Sequence, residues 1–316
     1  MKQFIGLLLI LSILLSACSA QKIPVLRIGT NVWLGYEPLY MARDKKYFQD
    51  DQVRLVEYAS ASQVINAFRN DLIDAAALTL DEAFLLLESD EKCSIALVMD
   101  MSYGGDALVA QKEFSSIQDI KGKKIGVESS ALGAYMLTRV LEISNIKKSD
   151  VTIVNTSVDD HENQFIQKKL DAVITFEPIL SKLIHAGGKL LFDSTQIPGE
   201  IVDVLIIKDE YLKKYPQQLE LLKAAWFKTL KEIKTQPEAS AKILSQRMNL
   251  STKQTLAAYN GILLPNKKEN EHLLYNNKNP ILLYSSKRLA KIMEDEGLIS
   301  KTLKPELLFS ATKKLN

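Results

Sequence analysis

Two cysteines and three histidines are all that this 316-residue chain offers of the side chains that most often hold metals or act as nucleophiles. His161, His185 and His272 stand far apart in no ligand spacing, which argues against a dedicated zinc site, and no metal or other cofactor is expected. With Cys18 committed elsewhere, as argued below, Cys93 has no partner in the chain, so no disulfide framework is available and Cys93 reads as a small core residue. Gly-x-Ser-x-Gly elbows, Gly-x4-Gly-Lys-Ser/Thr phosphate loops and paired-cysteine motifs are all missing, which leaves catalysis poorly supported. Asp159-Asp160-His161-Glu162 reads as the polar start of a helix, not as an acid–base or metal cluster. Beyond the first 17 residues there is no long uncharged apolar run, hence no transmembrane domain. There is also no internal repeat with a period of 20 to 50 residues.

What the amino terminus does contain is a compact signal. Lys2 supplies a positive start, Phe4 to Leu14 an apolar core, and Leu15-Ser16-Ala17-Cys18 places small residues before a cysteine, the pattern of a lipoprotein signal peptide cut before Cys18. Phe4 to Ala17 falls short of the ~20 residues needed to span a bilayer, which counts against an uncleaved anchor helix. The expectation is an exported protein held to the membrane by lipid on Cys18, with Ser19 suiting outer-membrane sorting in a cell that has one. Such a tether is firm because each buried methylene of a diacylglyceryl group adds to it.

Removing residues 1–17 leaves 299, about two domains at ~150 residues each. A hydrophobic content of 47% with 25% charged residues is enough for a sizeable core. The net charge of +2 conceals an asymmetry: residues 1–207 hold 20 basic and 27 acidic side chains, whereas residues 208–316 hold 20 and 11. The late lysines are interspersed with acids over amphipathic patterns, so they read as solvated helix faces, and no nucleic-acid partner is expected.

Strands and helices alternate from Val25 to Met99, through the strands Val25–Gly29, Val53–Tyr58, Ile73–Leu78 and Ser94–Met99, with helices between them. A second series of similar order runs from the strand at Lys124 to the strand at Leu190–Phe192. Such alternation predicts an α/β protein of two lobes, each a mostly parallel sheet flanked by helices. Asp106–Ala110, after Gly104-Gly105, and Ile201–Ile207, after Pro198-Gly199, are the expected crossings between lobes, with glycines to absorb hinge rotation. That gives residues 18–105 and 203–316 as a discontinuous first lobe and 106–202 as the second. From Asp209 onward only helices are expected, at about Gln217–Thr235, Ala239–Arg247, Thr252–Leu263 and Ile281–Glu296. This tail should pack on the first lobe, and Asn266–Pro280, rich in Asn and Lys, should be an exposed loop.

Candidate binding residues fall at the carboxyl edges of the strands, where ligands of open α/β sheets sit. Asn31, Trp33 and Tyr36 follow the first strand, and the two aromatics beside Gly35 can form a flat wall. Thr79 and Asp81 follow the third strand. Ser129, Ser130 and Gly133 open the equivalent helix of the second series, where free backbone N–H groups suit a carbonyl or an anion. Glu177 follows a second-lobe strand. Asp106 and Asp203 lie in or beside the apolar crossings, where a carboxylate needs a partner. Each has a purely structural alternative: packing for the aromatics, helix capping for Thr79, Asp81 and the serines, a favourable helix-dipole contact for Glu177, and a buried backbone or arginine partner for Asp106 and Asp203.

In the order and spacing of five segments the chain resembles the substrate-binding lipoproteins of ABC importers, of the nitrate, sulfonate, taurine and thiamine-precursor class. The segments are Ile28 to Ala42, Ala67 to Ala76, Ile120 to Val127, Leu170 to Pro178 and the signal ending at Cys18. The resemblance runs from about Ile23 to Ile207. It implies the periplasmic-binding-protein fold, two α/β lobes that close on a small molecule like a Venus flytrap, a permease in the inner membrane as partner, a monomer, and no enzymatic activity. It also implies that the turn with Trp33 and Tyr36, the Thr79–Asp81 loop, the Ser129–Ser130 helix start and Glu177 line the cleft. Sulfonate or nitrate recognition favours an Arg or Lys in those turns. None is there, whereas Asp81, Asp106, Glu177 and Asp203 are, so the expected ligand is a small cation or N-heterocycle, thiamine-precursor-like in kind. Two rivals share the resemblance: a lipoprotein sensor feeding a membrane signalling protein, and a pyrimidine-synthesising enzyme, against which the export signal and single spare cysteine argue.

Overall fold

The computed structural model describes residues 23–128, 131–275 and 280–309; the signal segment with Cys18, and the Ser129-Ser130 pair, lie outside them. Two sheets organise these residues. The first has the strand order β11-β4-β10-β3-β1-β2 and the second β7-β6-β8-β5-β9. In the first, β1 (Leu26–Thr30) pairs in parallel with β2 (Val53–Glu57) and with β3 (Ala75–Thr79). In the second, β6 (Lys124–Val127) pairs in parallel with β7 (Thr152–Asn155) and β8 (Ala172–Phe176). Parallel order thus holds within the strand–helix–strand units, where a crossover helix returns the chain to the same end of the sheet.

The crossing strands are different. β5 (Asp106–Ala110) inserts antiparallel between β8 and β9 (Lys189–Asp193), and β10 (Val202–Lys208) inserts antiparallel between β3 and β4 (Cys93–Ser102). A strand arriving from the other lobe enters from the cleft end and must run against the strands it joins, so both sheets are mixed. The two crossings are tied side by side. Ser102 Oγ lies 2.8 Å from Ser194 Oγ, and the Gly104 N–H donates to Ser194 Oγ at 2.6 Å.

Period-2 alternation puts each sheet between two apolar layers. On β3, Ala75 and Ala77 face one cluster and Ala76 and Leu78 the other; on β10, Leu205 and Ile207 oppose Val204 and Ile206 in the same way. On β5, Leu108 and Ala110 face one second-sheet cluster and Ala107 and Val109 the other. The tail covers both faces of the first sheet. From α8 (Pro216–Thr235), Leu219, Leu222, Trp226 and Leu230 recur at helical spacing on one side, and from α12 (Ile281–Asp295), Leu282, Leu289 and Met293 on the other.

Two tail expectations need correction. The supposed loop at Asn266–Pro280 contains α11 (Lys267–Tyr275), with residues 276–279 outside the described chain. Asn266 and Glu269 cap each other's backbone at 3.1 and 2.8 Å. Asn270 is buried and clamps the β4 edge, accepting from the Val98 N–H at 2.8 Å and donating to the Val98 carbonyl at 3.0 Å. Polarity there serves capping and edge pairing, which composition mistakes for exposure. The helix expected over Thr252–Leu263 ends as α10 (Thr252–Ala258). The chain then turns at Tyr259–Gly261 and adds the short strand β11 (Ile262–Leu263) beside β4.

Candidate functional site

Seven of the eleven candidate binding residues line one cavity between the sheets: Asn31, Trp33, Tyr36, Thr79, Asp106, Gly133 and Asp203. It lies at the carboxyl ends of β1, β3, β6 and β8, facing the first turns of α2 (Ala61–Arg69), α3 (Leu80–Glu88), α4 (Ala131–Ile143) and α5 (Val158–Ile166). Its atom-free space is about 530 Å³, counting the open solvent at its mouth.

One wall is aromatic. Trp33 meets Phe176 edge to face, 5.7 Å between centroids at 87°, a favoured geometry for a ring pair. The Trp33 orientation is fixed from behind, because its indole N–H donates to both Asp100 carboxylate oxygens at 3.1 and 3.3 Å. Gly35 makes that possible: a Cβ there would collide with the Asp100 carboxylate and with Trp33 Nε1. Tyr36 donates its hydroxyl to Asp203 Oδ1 at 2.5 Å. Leu132, Val158 and Ile174 complete the apolar lining. Gly133 is required where α4 starts, since a Cβ would run into the Glu128 carbonyl.

The floor is acidic. Glu82, Asp106, Glu128 and Asp203 line the cavity, and no lysine or arginine among the described residues does. Asp106 and Asp203 are each almost fully buried, and one oxygen of each, Oδ2, has no hydrogen-bond partner. Burial pushes Asp106 up to about 7, opposed by a hydrogen bond from Ser102. Asp203 rises well above the usual carboxylate range through burial and then the charge of Asp100, and Glu82 does so through burial and then Asp81. Asp100 is raised to about 7 by burial, against hydrogen bonds from Trp33 and Asp203. Burial thus favours the protonated forms of these acids near neutrality, and a neighbouring cation would favour their ionised forms. His161 also lines the cavity; burial pulls it down to about 4, so its ring is neutral, with Nδ1 3.2 Å from Thr175 Oγ1 and Nε2 unpartnered.

Two candidates lie off the wall. Asp81 is buried in the first turn of α3, where hydrogen bonds from Thr79 and from the backbone of Asp81 and Glu82 oppose a burial-driven rise to about 6. Glu177 turns into its own helix start, accepting from the Ser181 N–H at 3.1 Å and the Ser181 hydroxyl at 2.8 Å. Capping accounts for Glu177, whereas Asp81 keeps its Oδ2 buried without a hydrogen-bond partner. Ser129 and Ser130 lie outside the described residues, although their neighbours Glu128, Leu132 and Gly133 are on the wall.

Sequence reasoning passed over Glu82, Glu128, Phe176 and His161 as wall residues and Asp100 behind the wall. Phe176 carried a usable signal: period 2 along β8 puts it on the side of Ile174, which also lines the cavity. His161 reads in sequence as part of a polar helix start, but α5 begins at Val158, which puts His161 inside the helix and on the wall.

Comparison with known proteins agrees with this architecture. The family profile described as NMT1/THI5 like matches residues 34–240. A Brucella abortus protein named as a candidate binding protein is 26% identical over 233 residues, 69% of this chain and 70% of that one. The taurine-binding periplasmic protein of Escherichia coli is 22% identical over 199 residues, 60% of this chain and 62% of its own. Among solved structures, the alkanesulfonate-binding protein SsuA from Xanthomonas axonopodis pv. citri, bound to MOPS, superimposes with a TM-score of 0.77 at 16% identity, over 90% of this chain and 97% of that one. That likeness establishes the two-lobed binding-protein fold.

Proposed function

This chain belongs to the NMT1/THI5-like family, and from that premise we propose that it is an extracytoplasmic solute-binding protein that captures a small N–H-bearing cation or N-heterocycle and delivers it to an ABC importer. The observation that carries the ligand class is the pair of buried, unpartnered carboxylate oxygens on Asp106 and Asp203, in a cavity walled by Trp33 and Phe176 and lined by no basic side chain among the described residues. A flat, protonated ligand satisfies both features, its ring against the aromatic wall and its N–H groups on the acids.

The start of α3 does not favour an oxyanion. The first turn of α3 already spends its N–H groups on its own acids, with the Thr79 N–H donating to Glu82 at 3.0 Å and the Asp81 and Glu82 N–H groups to Asp81. An incoming sulfonate or nitrate competes with these carboxylates for the same N–H groups and meets no lysine or arginine on the wall among the described residues. Relatives named for taurine and aliphatic sulfonates share the fold and the transport role in this reading, and differ in what the cleft floor accepts. Lipid on Cys18 keeps the protein beside its permease.

Thermal unfolding with a panel of compounds tests the ligand class, since a molecule that binds only the folded state raises its stability. Aminopyrimidines and protonated aromatic amines should raise the midpoint, while sulfonates and nitrate should not. Stabilisation by sulfonates or nitrate alone sinks the reading. Native mass spectrometry of the protein as purified then identifies any carried molecule.

A further inference from the structure

We propose that Tyr135 and Glu200 form a latch between the lobes, which holds α4 of the second lobe against the first and sets how readily the cleft opens. Helix α4 has two loyalties. Met136, Leu137, Val140 and Leu141 belong to the apolar cluster of the second sheet. Tyr135, from the same helix, is 1% exposed and belongs to a cluster of the first lobe that also holds Leu80, Phe84 and Val202. A ring from one lobe is thus buried in the core of the other.

Its hydroxyl ends on the crossing. Tyr135 donates to Glu200 Oε2 at 2.6 Å, just before β10 returns the chain to the first lobe. Arg139, one turn further along α4, donates to the same carboxylate from Nε at 2.7 Å and from Nη2 at 3.2 Å. Arg288 of α12 reaches Glu200 Oε1 at 3.3 Å from the tail. One carboxylate therefore joins three parts that must separate when the lobes rotate apart: the second-lobe helix, the hinge segment and the helical tail. The Arg139 and Glu200 side chains are only 10% and 11% exposed, so the pairing is little screened by solvent.

The latch is coupled to the cleft through the helix itself. Leu132 and Gly133, one turn before Tyr135, line the cavity. Rotation that frees Tyr135 carries Leu132 and Gly133 away from the ligand, and a ligand that seats α4 favours the latch in return. Tyr135 and Glu200 are in this sense positioning residues that touch no ligand, and the inference holds whatever the ligand class.

Pulsed electron resonance distances between nitroxides at Leu72→Cys and Leu190→Cys test it, in the full chain carrying Cys18→Ser and without added ligand. Both sites are exposed, one on each lobe, and Cys93 is buried from the label. In Tyr135→Phe, which keeps the ring, and in Glu200→Gln, the longer-distance population should grow about tenfold, the factor that one charge-assisted hydrogen bond carries. The double variant should open less than the sum of the two single ones, because both weaken the Tyr135–Glu200 contact, while Glu200→Gln also weakens the pairings with Arg139 and Arg288. Wild-type distance distributions in both single variants overturn the latch, as does fully additive opening in the double variant.

Discussion

Asp100 on β4 and Asp203 on β10 are cross-strand neighbours, both buried, and each carries a ring donor on the cleft side: the Trp33 indole N–H on Asp100 and the Tyr36 hydroxyl on Asp203. Two carboxylates so placed cannot both ionise without a cation between or beside them. Burial raises both, the charge of Asp100 raises Asp203 further, and Asp106, at the start of the other crossing, like Asp203 has no partner for its Oδ2. The cleft therefore holds acids whose ionisation a bound cation would favour, on the very strands that form the hinge.

Stability of the unliganded protein should fall as pH rises from about 4 to about 7. An acid whose folded value is raised holds a proton that the unfolded chain has already lost in that window, so folding becomes less favourable with rising pH. Asp106, raised to about 7 from an ordinary 3.8, contributes up to about 4 kcal/mol to this slope. Urea unfolding across pH 4–8 should show Asp106→Asn equal to wild type at the acid end and progressively more stable than it toward pH 8. A difference independent of pH would remove Asp106 from the titrating set. By the same linkage, affinity for a cationic ligand should weaken below neutrality.

Trp33 does two jobs that substitutions can separate. Trp33→Phe keeps an aromatic wall but takes the N–H from Asp100, leaving a buried acid short of a donor, at a cost of about 2 kcal/mol. Trp33→Ala also removes the wall, and should abolish the thermal stabilisation given by whatever compound native mass spectrometry finds on the protein. Undiminished stabilisation in Trp33→Ala would place the ligand elsewhere.

The turn before the first helix depends on Gly35 for space, not for an unusual backbone angle. A methyl there collides with Asp100 and the indole nitrogen, so Gly35→Ala should destabilise by about 2–3 kcal/mol. Combined with Asp100→Ala, which vacates the space, much of that loss should be recovered. Full additivity in a denaturation cycle would mean that the collision is relieved in some other way.

How much of this was legible in the sequence differs by residue. The two series of strands and helices announced themselves through periodicity, and the aromatics and acids at the strand ends through their oddity there. Periodicity gave no sign that Asp81 and Glu177 would turn back into their own helix starts, because a carboxylate in a first turn looks the same whether it caps or faces a ligand. Nor could it place Asp100, which reads as the polar end of an apolar strand until β10 sets Asp203 beside it. Contacts made between residues as distant as Trp33 and Asp100, or Tyr135 and Glu200, exist only once two lobes and a returning strand are folded together.

The tail is bound to the cleft lobe by an ion pair that titration can expose. Glu37, at the start of α1 (Glu37–Asp44), is buried, and Arg247 of α9 (Pro237–Met248) donates to it at 3.0 Å while lying 3.6 Å over the Tyr40 ring. Burial raises Glu37 to about 7 even with the opposing pull of Arg247. Arg247→Met leaves the carboxylate with its desolvation and without its cation, so the variant should lose about 3 kcal/mol at pH 8. Near pH 5 Glu37 is protonated in both proteins and its ion pair contributes little, so the loss should shrink to the guanidinium's packing on Tyr40 and its pairing with the half-exposed Glu57, about 1–2 kcal/mol. Equal losses at the two pH values would show that Arg247 holds the tail through Tyr40 and its ion pair with Glu57, not through Glu37.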